Sequence, residues 1–311
     1  MNIMCPISRI DEIDLAVEWG VQEIYFGFNN SEIGINNRRP SNQCNLTLDR
    51  NTLETIVEKM KRRNISIYIT FNSVVNNEIC IDFLLYKMQE CIEVGIHNFI
   101  VADINLILAI KKRVIGNYNL ILSTCMPVYN QMNIEFFKRL GIKRFVLPRH
   151  LLMEEVEQSV LLNKDCEFEV LIKNVRCLNE DGNCFFEHGL ANYVKGMEGG
   201  GCQLKYNVDY VGNMPKDPIT REIIRKRYER VYGNFIFACG ACCLKHFEQI
   251  GVRSVKIVGR EFSTERKLKD VSFIRDCLQN IGNPEKEYFE YVYKKYKEVY
   301  GVECSHSQCY Y

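Results

Sequence analysis

The chain has no long apolar run and almost no net charge. Its first residues, MNIMCPISRIDEIDLAV, soon reach charged side chains and lack the basic start and small-residue cleavage site of a signal peptide. Forty basic and thirty-nine acidic residues leave a formal charge of +1, so no overall field attracts the chain to nucleic acid or anionic lipid. Hydrophobic residues are 47% and charged residues 25% of the chain, as in ordinary globular domains. We therefore expect a cytoplasmic, non-membrane protein in which a nucleic-acid substrate needs a local basic patch.

The common signatures of hydrolases and dinucleotide enzymes are absent too. The sequence contains no G-x-S-x-G, H-E-x-x-H or G-x-G-x-x-G motif. Histidine is scarce, and none of the five is paired in sequence with another: His97, His150, His188, His246 and His306. An isolated histidine is more often structural than catalytic. A thiol protease therefore stays an alternative that the spacing does not favour.

Cysteine, in contrast, is abundant, with 15 in 311 residues. A chain of this length buries its own core without disulfides, and clustered thiols in a reducing cytosol usually bind zinc or iron and sulfur. One group is concentrated in the carboxyl-terminal part of the chain: Cys177, Cys184, Cys202, Cys239, Cys242, Cys243, Cys304 and Cys309. The others are scattered and are predicted to be core residues: Cys5, Cys44, Cys80, Cys91, Cys125, Cys166 and Cys277.

The spacing of the grouped cysteines favours an iron-sulfur cluster over zinc. Structural zinc usually has two tight Cys-x2-4-Cys pairs, whereas this group has only one ahead of the tail, Cys239 and Cys242. Four thiolates from separate loops can hold a [4Fe-4S] cluster. Zinc, and a purely structural role as small buried hydrophobes, remain the alternatives. The tail with Cys304 and Cys309 is expected to be a mobile end. The alternatives are that it lends a ligand to the cluster or holds a second metal with Cys239 or Cys242.

Short strand-like runs alternate with helical segments along the chain. The predicted strands are Gln22 to Phe28, Ser66 to Phe71, Asn98 to Val101, Leu120 to Ser123, Arg144 to Leu147, Glu167 to Ile172 and Ser254 to Val258. Several of the intervening helices end on a glycine that serves as a left-handed C-cap: Gly20, Gly95, Gly141 and Gly251. Seven or eight such units favour an α/β fold, a TIM-like (β/α)8 barrel, over an open doubly wound sheet.

The regular alternation stops between Arg176 and Gly251. We therefore predict a barrel from residues 1–175 and 250–275, a cysteine-rich, cluster-binding insertion at 176–249, and a C-terminal helix and tail at 276–311. Cys177 would then follow a strand at the carboxyl-terminal face, where barrel enzymes have their active sites. The tyrosine-rich helix Glu285 to Tyr300 is expected to pack on the barrel.

Several segments together resemble one known family. The opening unit of helix, glycine and strand is DLAVEWGVQEIYFGF, and a second strand, YITFN, ends at Asn72. Further along are LSTCMPVYN, FFKRLGIKRFVLPRHLLMEEVE, EFEVLIKNVRCLNEDGNC with two cysteines, GCQLKY with a third, and GVRSVKIVGR. In this order and spacing, the segments resemble peptidase family U32, the collagenase-like proteases.

The resemblance implies both a cofactor and an activity. Several members of this family are understood as iron-sulfur proteins for oxygen-independent hydroxylation of ubiquinone precursors or RNA bases. By the same resemblance, a [4Fe-4S] cluster is held by Cys177, Cys184, Cys202 and a fourth ligand, which is either Cys239 or Cys242. We expect a hydroxylation or related redox modification of a small molecule, RNA or peptide. The alternatives are a peptidase and a non-catalytic iron-sulfur subunit of a hetero-oligomer with a related subunit or redox partner.

Two departures from the family pattern concern the substrate. Lys173 and Asn174 stand where the family commonly has His-Gly, and Val258 stands where a glutamate is common. We therefore expect a substrate that differs from that of better-known members.

Polar residues at the predicted strand ends are the candidates for the site. Arg149 either clamps a carboxylate or phosphate with two hydrogen bonds or forms a salt bridge with Glu154 or Glu155. Glu169 and Lys256 either transfer protons or form a buried ion pair. The predicted substrate-binding residues are Tyr25, Asn72, Asn130, Lys173 and Arg260, whereas Asp103 is expected to cap a helix.

Overall fold

Parallel strands alternate with helices through the part of the chain that the computed structural model describes, residues 1–29, 45–73, 78–177, 181–183, 215–221, 237–305 and 308–311. The strands are β1 (Asn2–Pro6), β2 (Glu23–Asn29), β3 (Asn45–Thr47), β4 (Ser66–Phe71), β5 (Asn98–Val101), β6 (Asn119–Leu122), β7 (Ile142–Val146), β8 (Glu167–Lys173) and β9 (Ser254–Ile257). The helices are α1 (Glu12–Glu18), α2 (Arg50–Lys61), α3 (Glu78–Val94), α4 (Ile104–Arg113), α5 (Gln131–Arg139), α6 (Met153–Leu162), α7 (Leu244–Ile250), α8 (Thr264–Gln279) and α9 (Glu285–Tyr300). No helix in these ranges has the length and apolar character needed to cross a membrane.

The first strand closes the sheet into a barrel. The strands follow the order β1-β9-β8-β7-β6-β5-β4-β2-β3, and β1 also pairs with β2. Because β3 pairs beside β2 and lies outside the ring, eight of the nine strands form a closed parallel barrel. The predicted (β/α)8 barrel is therefore confirmed.

All seven predicted strands are present, and Ser66–Phe71 and Asn98–Val101 have the predicted bounds. The sequence interpretation missed β1 and β3. In β1, a run of five residues that ends in Pro6 shows no alternation, because four of its five side chains are buried. A strand buried on both faces lacks the period of two by which strands are recognised.

Inward and outward side chains of the strands form two separate cores. The outward side chains pack under the helices, as in Ile24, Phe26 and Phe99. The inward ones form a compact cluster inside the barrel: Met4, Tyr25, Tyr68, Ile100, Ile121, Val146 and Leu171, with Ala238 and Tyr310 joining them. The barrel interior is thus packed with side chains, and room for a ligand is left above this cluster.

The local predictions about helix ends hold. Gly20, Gly95, Gly141 and Gly251 all have positive φ, with values of 82°, 103°, 89° and 96°. The Asp103 carboxylate accepts a hydrogen bond from the Leu106 amide at 2.9 Å and so caps α4, as predicted.

Helix α7 and the tyrosine-rich helix α9 both pack on the barrel. Leu244 and Phe247 of α7 are buried, and this helix leads into β9 although all but its last residue lie in the range 176–249 assigned to the insertion. In α9, Tyr288, Val292 and Tyr296 are buried, which confirms the predicted packing.

The prediction of a mobile tail is wrong. Residues 308–311, which we call the C-terminal strap, bind to the backbone of Cys239. The Cys239 amide donates to the Gln308 carbonyl at 2.7 Å, and the Cys239 carbonyl accepts from the Tyr310 amide at 3.0 Å. Tyr310 is fully buried, and its hydroxyl donates to the Asn174 carbonyl. The Tyr311 hydroxyl donates to the Leu171 carbonyl at 3.0 Å. The residues in contact lie far apart in sequence, so no local sequence pattern predicts these contacts.

Candidate functional site

A cavity of about 130 Å³ lies at the carboxyl-terminal ends of the strands. Five of the residues predicted for the site line it: Tyr25, Asn72, Arg149, Lys256 and Arg260. Other polar groups at the cavity are Thr70, Ser123, Thr124, Cys125, Asp181 and Glu261. The barrel topology brings these residues together because parallel strands all end at the same face.

The floor of the cavity is a buried ion pair. Lys256 Nζ donates to Glu169 Oε1 at 2.9 Å, and the Glu169 side chain is fully buried beneath it. Lys256 Nζ also lies 4.0 Å from the centre of the Tyr25 ring. Burial lowers the pKa of the Lys256 ammonium, while Glu169 acts in the opposite direction. The predicted contact between these two residues is therefore present, with the lysine facing the cavity.

A second charged pair lies deeper in the barrel, below Glu169. The two Nη atoms of Arg144 donate to Glu23 at 3.0 and 3.1 Å, and the Ser254 hydroxyl donates to the same carboxylate at 2.7 Å. Arg144 Nη1 is 3.7 Å from Glu169 Oε2, an oxygen with no hydrogen-bond partner among the described residues. Glu23, Arg144, Glu169 and Lys256 thus form a column of alternating charge, which we call the charge column.

Arg149 is held by a residue that the sequence interpretation did not consider. Its Nε donates to both carboxylate oxygens of Asp181 at 3.1 and 3.0 Å, and its amide donates to Asp181 Oδ2 at 2.9 Å. The predicted alternative of a salt bridge with Glu154 or Glu155 is wrong, since Glu155 instead accepts from the Leu152 amide. Because Asp181 occupies the guanidinium, Arg149 supports the cavity wall rather than offering an open clamp.

The Arg149–Asp181 pair predicts how stability depends on pH. Burial would raise the pKa of Asp181, but Arg149 holds it below its usual value; Arg144 has the same effect on the pKa of Glu23. Carboxylates with lowered pKa stabilise the fold above their unfolded pKa of about 4, and this contribution is lost as pH falls through the folded pKa. We therefore expect the free energy of unfolding to fall steeply below about pH 4.

Asp181→Asn is expected to cost about 3–5 kcal/mol at neutral pH, because it leaves Arg149 buried without its partner. It should also flatten the acid limb of the stability curve, as measured by urea unfolding at several pH values. The matched control is Asp165→Asn, whose carboxylate binds Lys138 at the surface and should matter little. Equal effects of the two substitutions would contradict this account.

Small polar groups form the opposite wall of the cavity. The Asn72 amide donates to the Ser123 hydroxyl at 3.3 Å and lies 3.6 Å from the Cys125 sulfur. Cys125, predicted to be a core residue, therefore lies at the cavity instead.

The core prediction is confirmed for Cys5, Cys80, Cys91 and Cys277, Cys166 is half-buried, and Cys44 lies outside the described residues.

A glycine turn after β9 brings Arg260 over the cavity. Arg260 Nη1 donates to Asn45 Oδ1 at 3.0 Å and lies 3.5 Å from Thr70 Oγ1. The preceding Gly259 has φ of 110°, and a Cβ at that position would lie 2.3 Å from the Phe262 ring. Only glycine fits here, which explains the Gly-Arg pair of the late segment GVRSVKIVGR.

Gly259→Ala is expected to lower the free energy of unfolding by about 2–5 kcal/mol, from backbone strain together with overpacking against Phe262. Gly141→Ala is the control, because φ is 89° there but a Cβ would meet nothing within 4 Å. That substitution should cost about 1–2 kcal/mol. Denaturant unfolding measures both, and a Gly259 variant no less stable than the control would refute the steric explanation.

Two of the predicted substrate-binding residues lie away from the cavity. Asn130 is exposed and caps α5 by accepting a hydrogen bond from the Asn133 amide at 3.1 Å. Lys173 is fully buried on the outer side of β8, where its Nζ donates to the Phe237 carbonyl and lies 4.5 Å from the Tyr300 ring centre. The strand has an irregular register between Leu171 and Lys173, so simple alternation from Glu169 does not give the direction of Lys173.

The predicted metal ligands are only partly within the described residues. Cys177 lies a few residues beyond β8, close enough to Arg149 to contribute to the electrostatics of its guanidinium, where burial and Asp181 have the larger effects on the pKa. Cys239 bridges to Lys173 of the same strand. Cys184 and Cys202 lie outside the described residues, and the described residues alone bring no three metal-binding side chains together.

The sequence interpretation missed Asp181 and the Glu23–Arg144 pair. Asp181 lies in a polar segment near Cys177, where nothing in the spacing separates it from its neighbours. Glu23 and Arg144 lie near the starts of their strands, at the opposite end of the barrel from the predicted site residues. The available signal was the pair of adjacent charges in β7, IKRFV, because alternation along a strand directs one of Lys143 and Arg144 inward.

A closed parallel barrel with a polar cavity at the carboxyl ends of its strands, and a buried lysine–carboxylate pair on the cavity floor, defines a TIM-barrel protein. The family is given by a model of peptidase family U32, which matches residues 8–311. The chain belongs to this family.

Similar proteins and a solved structure agree with this assignment. The chain is 28% identical over 214 residues to tRNA hydroxylation protein P1 of Bacillus subtilis and 23% identical over 224 residues to tRNA hydroxylation protein P of Escherichia coli. These matches cover 67% and 68% of the chain but only 46% of each relative, so the chain spans about half of their length. The structure of the U32 peptidase Mk0906 is similar in fold, with a TM-score of 0.50 and 15% identity over 83% of this chain and 93% of that one.

Proposed function

We propose that this protein takes part in hydroxylating tRNA in the cytoplasm, through an oxygen-independent reaction that uses a [4Fe-4S] cluster. The names of the two relatives support the reaction and the substrate. The observation that carries the proposal for this chain is the cavity with Lys256 and Glu169 at its floor, because hydroxylation of a base requires groups that move protons.

We propose Cys177, Cys184, Cys202 and Cys239 as the cluster ligands, with zinc as the alternative metal. The surroundings of Cys177 and Cys239 fit this role, since each thiol has a cationic side chain nearby, Arg149 and Lys173 respectively. Cys239 Sγ also accepts an N–H from Ala241 at 3.5 Å. Cations and amide donors favour the thiolate that a metal requires. Such a cluster supplies electron transfer when bound.

Cys239 is a better candidate than Cys242 for the fourth ligand. Burial raises the pKa of the Cys242 thiol, and neighbouring cysteines raise it further. Burial also raises the pKa of Cys239, but Lys173 and the Ala241 amide oppose that effect. Cys239 in addition bridges to β8, the strand that leads to Cys177.

The remaining groups of the cavity have roles that their contacts support. Lys256 faces the cavity and Glu169 holds its Nζ, so this pair can deliver or accept a proton at the floor. Asn72 and Arg260, with Tyr25, line the space where a base would bind. Arg149 is a positioning residue, because Asp181 fixes it against the wall.

A peptidase is the second candidate, and the histidines give it little support. In the described residues, His97 binds the Asn117 carbonyl, His246 pairs with Glu157, and His150 stacks on Tyr129. None of these three histidines has a hydrogen bond to a serine or cysteine side chain, as an activated nucleophile would require. A related subunit or redox partner stays a prediction, and so does a non-catalytic role within such a complex.

Expression of the chain in an Escherichia coli strain that lacks its own tRNA hydroxylation protein P tests the proposal. Bulk tRNA is digested to nucleosides and analysed by mass spectrometry. Return of a nucleoside with one added oxygen supports the proposal, and proteins that copurify with the chain identify a partner. Unmodified tRNA, together with metal-independent cleavage of a protein substrate, would favour the peptidase.

A further inference from the structure

Two cysteines from distant parts of the chain lie side by side at the C-terminal strap. Cys239 and Cys309 are partners in a parallel β-bridge, with the Cys239 amide and carbonyl bonded to Gln308 and Tyr310 on either side. Both are thiols in this structure. Nothing in the reaction proposed above uses Cys309.

The register gives this pair the backbone spacing of a disulfide. Neighbouring strands lie about 4.7–4.9 Å apart, which falls within the Cα separation of about 4.4–6.8 Å found in disulfides. Directly opposed residues in a bridge point to the same side, so the two Cβ atoms do not diverge. The bridge is isolated rather than part of a long ladder, and the strap can therefore rotate slightly to bring the sulfurs together.

The two thiols differ in access. Cys239 is 8% exposed, whereas Cys309 is only half-buried and lies near the outside of the strap. A small reagent therefore reaches Cys309 first. Cys304 is also close enough to feel the charges of Cys239 and Cys309, which makes it the natural competitor for either partner.

We propose that Cys239 and Cys309 form a reversible disulfide that fastens the C-terminal strap to the end of β8. The oxidant is a small-molecule disulfide. The Cys309 thiolate attacks it and forms a mixed disulfide, and Cys239 then attacks the Cys309 sulfur. One S–S bond of the oxidant is replaced by one in the protein, and the two protein thiol protons leave on two molecules of the reduced reagent.

This disulfide and a metal compete for the same sulfur. The disulfide is not part of the proposed function, but it affects that function because Cys239 cannot bind a cluster while it is bonded to Cys309. The bond would also hold Tyr310 and Tyr311 in place over Asn174 and Leu171. Oxidation would thus keep the end of the barrel assembled when the metal is absent.

The test uses the full chain, purified anaerobically, both as isolated and after removal of metal with a chelator. Each sample is treated with oxidised glutathione, digested without reduction and mapped by mass spectrometry. We expect a peptide pair joined through Cys239 and Cys309 in the chelated sample, and less of it in any sample that contains iron. The melting temperature should rise on oxidation and return on reduction.

Two variants define the pair. Cys309→Ser should abolish both the joined peptides and the rise in melting temperature, whereas Cys304→Ser should leave both intact. The proposal would be overturned by a disulfide from Cys239 to Cys304 or Cys242, or by glutathione that stays on Cys309 without a link to Cys239. These outcomes are read from the unaltered chain, so they do not depend on whether a variant folds. Absence of iron from the isolated protein would contradict the proposed cluster but not the disulfide, because the disulfide is detected by peptide mapping and not by iron content.

Discussion

Cys239→Ser is expected to leave the protein without iron and without hydroxylation activity. Serine cannot replace the thiolate that a cluster of this type requires, and loss of one of four ligands removes an anchor that the other three do not restore. Anaerobic purification followed by iron and sulfide analysis gives the result directly. The unaltered chain should contain about four irons and four sulfides, as expected for a [4Fe-4S] cluster.

Cys242→Ser is the matched control for that experiment. The two cysteines belong to the same short segment, but only Cys239 bridges to Lys173 and accepts the Ala241 amide. The control should keep its iron and most of its activity. If iron remains in the Cys239 variant, or is lost from the Cys242 variant, the fourth ligand would be Cys242 instead. Zinc in the unaltered chain would contradict the iron-sulfur cluster.

Glu169→Gln is expected to lower the hydroxylation rate by about 100-fold or more while leaving the metal content unchanged, as for the loss of a general acid or base. The amide keeps the shape of the side chain but removes the charge that holds Lys256 Nζ at 2.9 Å. Lys256→Met should have a similar effect. Because the two residues act as a unit, the double variant should be about as slow as either single variant.

Glu167→Gln provides the comparison within the same strand. Its side chain is 47% exposed and binds Arg144 and Arg253 at the other end of β8, away from the cavity. Activity close to that of the unaltered chain is expected. Should Glu169→Gln retain full activity with a normal iron content, the ion pair on the cavity floor would be structural only.

Local sequence patterns were sufficient for most of the fold. Glycine after a helix, as at Gly95 and Gly141, reflects a backbone requirement that each helix end has by itself, so it can be recognised without knowing the rest of the chain. β1 could not be recognised this way. Four of its five side chains are buried, and it pairs with β2 and with β9, the latter some 250 residues away along the chain.

The site was predictable to the extent that topology determines it. Lys256 lies near the end of β9 and Arg149 follows β7. Both could be predicted because parallel strands of a barrel end at the same face. Asp181 was not found, since its burial depends on Arg149 and on the close approach of Gly182 to Pro127. The strap was predicted wrongly for a related reason: a terminal segment gives no sign in its own sequence of the partner that orders it.

The charge column has a consequence for what the barrel accepts. Glu23 and Glu169 balance Arg144 and Lys256, so the charge column itself has no formal net charge. A phosphate that entered would bring a charge with no unclaimed counter-ion at the floor, and its desolvation would go largely uncompensated. An uncharged ring with polar edges meets no such penalty. We therefore expect the depth of the barrel to favour a neutral group, and any anionic part of a substrate to bind nearer the rim.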